Sequence, residues 1–271
     1  MAKKNKTSFE AMPPKALIGM VHVGALPGSP FSRRSLDQIE AVARQEARVL
    51  VDSGFDAIIV ENMHDRPYVN GPHSPATVAA MTRLCGAVKD IIGDKPMGVQ
   101  VLSSGEKEAL AVALATGGSF IRCENFVYAH VADEGLLAQA AAGPLLRFRR
   151  EIGAERIRII CDIKKKHASH AITTDISLGD AAHSAEFFGA DGVIVTGAFT
   201  GAPADEGDVA EARAAVKLPV WVGSGVGPEQ VPSLFEHADA LIVGSYIKRG
   251  GTWDGPIDPK RCRAIVKARR T

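Results

Sequence analysis

A chain of 271 residues, 46% hydrophobic and 23% charged, has the balance of a folded globular protein and the length of one eight-unit α/β barrel. A net charge of +1 gives no electrostatic attraction for nucleic acid or an acidic membrane surface, and no apolar run is long enough to span a bilayer, so neither nucleic-acid binding nor membrane insertion is expected. Cys85, Cys123, Cys161 and Cys262 are far apart and form no C-x-x-C, which fits reduced thiols in a cytoplasmic protein better than a disulfide or zinc framework.

The chain opens with Lys3, Lys4 and Lys6 and no apolar segment behind them, so residues 1–15 read as a mobile arm rather than a secretory signal. Apolar runs then alternate with helical patterns eight times. Ala16 to Val23 is the first strand. Ser35 caps a helix to Asp52 with an apolar stripe at Ile39, Val42, Ala43, Ala47 and Leu50, and Gly54 stops it. Asp56 to Asn62 is the second strand, followed by a helix over 76–92. Met97 to Leu102 is the third, with a helix over 105–116. Phe120 to Phe126 is the fourth, with a helix over 134–152 whose last turn holds Arg147, Arg149 and Arg150. Ile157 to Ile163 is the fifth strand, followed by a helix over 178–188, and Gly192 to Thr196 is the sixth, followed by a helix over 207–216. Pro219 to Gly225, a helix over 228–235, Ala240 to Tyr246 and a helix over 259–270 complete the chain.

Repeated strand–helix alternation implies parallel strands with right-handed crossovers. Eight such units predict a closed (β/α)8 TIM barrel, one domain over residues 1–271, in preference to an open doubly wound sheet.

In such a barrel the carboxyl ends of the strands carry the active site. Polar residues gather there: His22, Glu61, Asn62, Gln100, Arg122, Glu124, Asp162 and Lys164. Strand side chains alternate, so Arg122 shares a face with Glu124, and Asp162 with Lys164. Each pair could be a structural ion pair. As a set, buried charges without a use are costly, which favours a functional cleft. Glu61 or Asp162 suits a general acid or base, Lys164 an imine-forming amine or an electrophile, and Arg122 a bidentate anion contact. His22, His64, His73, His130, His167 and His170 all fall at or after strand ends, without a recognised metal-motif spacing. No organic cofactor is expected. A divalent cation stays open, with Asp162, His167 and His170 as its candidate ligands.

Glycine-rich turns follow the last three strands: Gly197 and Gly201 after the sixth, Gly223, Ser224 and Gly225 after the seventh, Gly244 and Ser245 after the eighth. Glycines let a backbone approach a phosphate closely, and loops after the last two strands of a barrel are a frequent phosphate site. The expected substrate is therefore a small phosphorylated metabolite, with His22, Asn62, Gln100 and His167 as further contacts.

GFDAIIVEN, TVAAMTRL, FIRCENF, DIKKKHA, DGVIVTGAFTG and VGSGVGPEQV with ALIVGSYIK resemble the BtpA/SgcQ family over about Ala16 to Arg270. The resemblance implies a ribulose-phosphate-binding type of barrel. It also implies either a role in photosystem I biogenesis or an enzyme of sugar or nucleoside metabolism. QVLSSG stands where the family pattern is close to NVLRND, and FIRCENFVYAH where it is close to FIRVNVHTGA, both on the substrate face. The leading expectation is isomerase, epimerase or aldolase/lyase chemistry on a phosphorylated sugar, by Glu61 and Asp162 with Arg122, Lys164 and Glu124. A non-catalytic assembly factor and a metal-assisted hydrolase or nucleosidase using Glu61, Asp162 and His167 are the alternatives. A homo-oligomer is expected.

Overall fold

A computed structural model describes residues 9, 10 and 12–270. Eight parallel strands close into a barrel: β1 (Ala16–His22), β2 (Ala57–Glu61), β3 (Met97–Gln100), β4 (Phe120–Cys123), β7 (Arg158–Asp162), β9 (Gly192–Thr196), β10 (Val220–Gly223) and β11 (Ala240–Val243). β11 pairs with β1 and closes the ring. The remaining short strands, β5 (His130–Ala132), β6 (Gly135–Leu137) and β8 (Ala168–Ser169), form a separate antiparallel sheet in order β6-β5-β8.

The barrel wall is apolar on both sides because both are buried. One alternating set, including Ile18, Met20, Ile59, Phe120, Ile160, Ile194, Trp221 and Ile242, fills the lumen. The other set packs outward under the helices. Phe9 stacks on Trp221 at 6.1 Å and meets Phe120 edge-on at 5.9 Å, and Met12 joins them, so these residues cover the amino-terminal floor. Of the expected arm, residues 1–8 and 11 lie outside the described residues.

The outer helices are α1 (Leu36–Ser53), α2 (Pro75–Ile92), α3 (Glu106–Thr116), α4 (Ala142–Glu151), α5 (Leu178–Phe187), α6 (Glu206–Ala215), α7 (Val231–Leu234) and α8 (Pro259–Ala268). Ser35 and Gln38 make a reciprocal capping box at the start of α1, and Gly54 ends it at φ 97, a left-handed conformation that a side chain would strain. All four cysteines are buried free thiols.

Two expected helices are shorter. Residues 130–137 form the β5–β6 hairpin, turning through Asp133 and Glu134 into Gly135 at φ 110, and the helix after β4 starts only at Ala142. Pro144 explains the late start: inside a helix over 134–152 it would remove a hydrogen bond and clash, whereas it is tolerated in the first turn of α4. After β10, the chain turns through residues 227–230 before the single turn of α7, with the Gly227 amide bonded to the Gln230 side chain.

Candidate functional site

The lumen-facing register continues past the apolar layers to the carboxyl end. There His22, Glu61, Gln100, Arg122 and Asp162 are the last inward residues of β1, β2, β3, β4 and β7, all almost fully buried. The alternation that predicted a polar mouth therefore holds for these five.

Arg122 pairs across strands rather than along its own. Its Nε and Nη2 donate to the two Asp162 carboxylate oxygens at 2.9 and 2.8 Å. β4 and β7 are neighbours with Arg122 level with Ile160, so Asp162 stands two residues further up, where a planar fork can meet both oxygens. Burial opposes the guanidinium charge, but Asp162, Glu61 and Glu124 outweigh it and hold its pKa above the usual range.

His22 Nδ1 lies 3.2 Å from the Trp253 carbonyl, which can only accept, so Nδ1 carries a proton. Nε2 then faces Glu61 Oε2 at 3.3 Å. That contact needs a second proton between carboxylate and imidazole. Burial pushes the Glu61 carboxyl up, but the hydrogen bond and charge of His22, with Arg122 and Lys166, bring it below the ordinary glutamate range. The result is a carboxylate beside an imidazole, an acid–base pair at the mouth.

Gln100 is buried beside Glu61, and neither its amide oxygen nor its nitrogen has a hydrogen-bond partner among the described residues. A buried amide left in that state fits a contact made by a ligand. Asn62 is differently placed. Its Oδ1 accepts from the Leu102 amide at 2.7 Å, and its Nδ2 donates to Asp65 and the Leu102 carbonyl, so it pins the loop after β3 rather than facing the mouth.

The lysines fall elsewhere than expected. β7 ends at Asp162, and Lys164 at φ 50 breaks the strand alternation. Lys164 lines a crevice shared with Asp162, Glu124 and Lys165 and the groove beside β8 and the Phe199 loop, but neither of the two cavities at the mouth described below. Lys165 is the buried one: its Nζ lies 2.9 Å from Glu134 and 3.6 Å from Glu124. Burial opposes its charge, yet Glu124 and Glu134 hold its pKa above the lysine range. Glu134 comes from the unforeseen β5–β6 turn and also accepts from the Ser103 hydroxyl. Lys166 enters the mouth itself, beside Glu61 and Arg122.

A recess of about 30 Å³ lies among His22, Glu61, Arg122, Lys166 and the turns carrying Gly201, Ser224, Gly244 and Ser245. It meets a chamber of about 250 Å³ at Glu61, Met63, Lys166 and Thr200. Trp253, Tyr68 and Arg66 line one part of this chamber, and Glu124, Glu134 and Lys165 another. The remaining predicted glycines support the recess. A Cβ on Gly197 or Gly225 would stand 2.3 Å from the backbone of Ala202, so both let the Thr196–Asp205 loop pack against the turn after β10. Gly223 faces Arg122 from β10. His167 Nε2 accepts the Thr200 amide at 3.0 Å and thereby fixes the edge of the recess. Among the described residues no group of three or more His, Cys, Asp or Glu is arranged to hold a metal ion. Asp162 is instead engaged by Arg122, and His170 bonds the Lys165 carbonyl.

Trp253, Tyr68, Arg66, Lys165 and Lys166 escaped the sequence reading because they sit on loops, where no periodicity assigns a direction, and Glu134 because it was expected to open a helix. The Arg66 guanidinium lies 4.7 Å over the Trp253 ring, a cation–π contact linking two loops far apart in the chain.

A sequence profile described as the BtpA family matches residues 13–271. An uncharacterised Caenorhabditis elegans protein whose name places it in the mitochondrion is 43% identical over 93% of this chain and 91% of its own length. The photosystem I biogenesis protein BtpA of Synechocystis is 35% identical over 93% of this chain and 87% of its own. Among solved structures, (S)-3-O-geranylgeranylglyceryl phosphate synthase from Thermoplasma acidophilum, in complex with sn-glycerol-1-phosphate, superposes with a TM-score of 0.62. That match covers 97% of this chain and 98% of the other at 17% identity, a likeness of fold.

Proposed function

The chain belongs to the BtpA family, and on that premise we propose that it is an enzyme acting on a phosphorylated sugar or similar small phosphorylated metabolite by acid–base chemistry. The observation that carries this reading is the Glu61–His22 pair, 3.3 Å apart, lining the same recess as the Gly-Ser turns after β10 and β11. A phosphate held against those turns directs the rest of the substrate toward the chamber that Glu61 and Lys166 also line. Glu61 takes a proton from carbon or hydroxyl and His22 returns one. Arg122 stabilises the negative charge that develops. Isomerase, epimerase and aldolase or lyase reactions all share that step. The glycerol-1-phosphate bound by the Thermoplasma barrel lends support by analogy of fold.

The test has two stages. Sugar phosphates are compared with the same sugars lacking phosphate for their effect on the melting temperature, since a ligand bound only by the native state raises it. The stabilising compound is then incubated in D2O with the parent protein and with Glu61→Gln. Deuterium entering carbon-bound positions with the parent alone supports the reading. Equal stabilisation by the unphosphorylated sugars, or exchange unaffected by Glu61→Gln, refutes it.

The name of the Synechocystis relative favours a second reading, an assembly factor acting through its outer surface. Retention of cellular function by Glu61→Gln and its loss on surface substitution would select that reading. Among the described residues no helix is long and apolar enough to cross a membrane. We read the protein as cytoplasmic on its buried free thiols, and as a homo-oligomer on the exposed Phe187–Phe188 pair closing α5.

A further inference from the structure

Lys166 is the side chain of the mouth that the preceding roles use least. It lines both the recess and the larger chamber, at their junction. Its two neighbours in the Lys164–Lys166 run are placed otherwise: Lys164 lines neither the recess nor the chamber, and Lys165 is locked between Glu124 and Glu134. Among the described residues no hydrogen-bond or ion-pair partner engages the Lys166 amine. Asp162, the carboxylate that might have done so, gives both oxygens to Arg122. Burial, then the Arg122 charge, push the Lys166 pKa below the ordinary lysine value against the pull of Glu61, Asp162 and Glu124.

An amine that is partly desolvated, close to a second cation and free of a fixed partner has the environment of a nucleophile. We propose that Lys166 forms an imine with the carbonyl carbon of its substrate, which is therefore a phosphorylated ketone or aldehyde. The proposal rests on the phosphate-binding reading of the recess.

The step balances without a further reactant. The neutral Nζ adds its electron pair to the carbonyl carbon, and the π pair moves to oxygen, which takes a proton from His22. Nitrogen loses a proton to Glu61, which passes it on to the oxygen; the oxygen leaves as water, an iminium C=N bond remains, and Glu61 is again a carboxylate. The iminium so formed accepts electrons from the neighbouring carbon when Glu61 removes a proton there, and water reverses the first steps to release product.

The probe is glycolaldehyde phosphate with cyanoborohydride near neutral pH, applied to the full chain, with each lysine quantified by peptide mass spectrometry. The proposal expects Lys166 to be alkylated several-fold faster than the exposed lysines, with excess inorganic phosphate slowing it. It expects Lys164→Arg to keep that label, and inorganic phosphate to raise the melting temperature of the parent protein. An unlabelled Lys166 among labelled surface lysines, or selective labelling of Lys164 or Lys165, overturns it. The phosphate measurements separate the two claims. Stabilisation by phosphate with Lys166 unlabelled removes the imine and keeps the recess. Selective labelling of Lys166 without protection or stabilisation by phosphate keeps the imine and removes the recess.

Discussion

Arg122 and Asp162 meet inside the barrel through two hydrogen bonds, 2.9 and 2.8 Å long, almost out of reach of water. Removing one partner strands a buried charge, which costs about 3–5 kcal/mol. Arg122→Met is therefore expected to lower the unfolding free energy by about that amount. The double variant Arg122→Met with Asp162→Asn is expected to recover part of the loss. Urea unfolding of the four proteins measures the coupling; additive losses would show that the pair is not a unit.

Glu106, in the first turn of α3, is buried beside Glu124, and burial lifts its pKa to about 7 from an ordinary 4.5. A carboxyl raised on folding costs stability as pH climbs from its unfolded pKa to its folded one. The cost is absent below about pH 4.5 and complete above about pH 7. Glu106→Gln should therefore gain on the parent as pH rises through that window, by on the order of 3 kcal/mol. Unfolding free energies at the two ends of the window test this, and a pH-independent difference would contradict it.

The sequence made the barrel legible because each of eight apolar runs was followed by a helical pattern, and strand alternation then pointed His22, Glu61, Gln100, Arg122 and Asp162 into the lumen. The same rule misassigned Lys164, because β7 ends at Asp162 and a residue at φ 50 resets which way the chain faces. It joined Asn62 to the mouth although the side chain is spent on the loop after β3. The β5–β6 hairpin was hidden by the helical propensity of the leucine- and alanine-rich run, residues 136–142, that its second strand leads into. Gly135 and Pro144 were the signals that marked it.

Gly225 stands at φ 64, and a Cβ there would lie 2.3 Å from Ala202 and Pro203 backbone atoms. Gly225→Ala is expected to cost about 1–3 kcal/mol and to push the Thr196–Asp205 loop away from the recess. Binding of phosphate should weaken together with stability, as calorimetry can measure. A destabilised variant that binds phosphate as well as the parent would show that the loop does not build the site.

Lys165 ties the hairpin turn at Glu134 to Glu124 at the mouth. Lys165→Met leaves two acidic groups facing each other, and amide exchange in residues 130–137 should accelerate while β1 and β2 stay protected. Unchanged protection in the hairpin would mean that packing, not this lysine, holds it down.

The most direct measurement is a crystal structure of the protein soaked in inorganic phosphate. The account predicts an anion in the recess beside Lys166, against Gly201, Ser224 and Ser245, with the Glu61–His22 contact retained. An empty recess, with phosphate bound instead among Arg33, Arg34 and Arg66 in the groove outside β1, would contradict it.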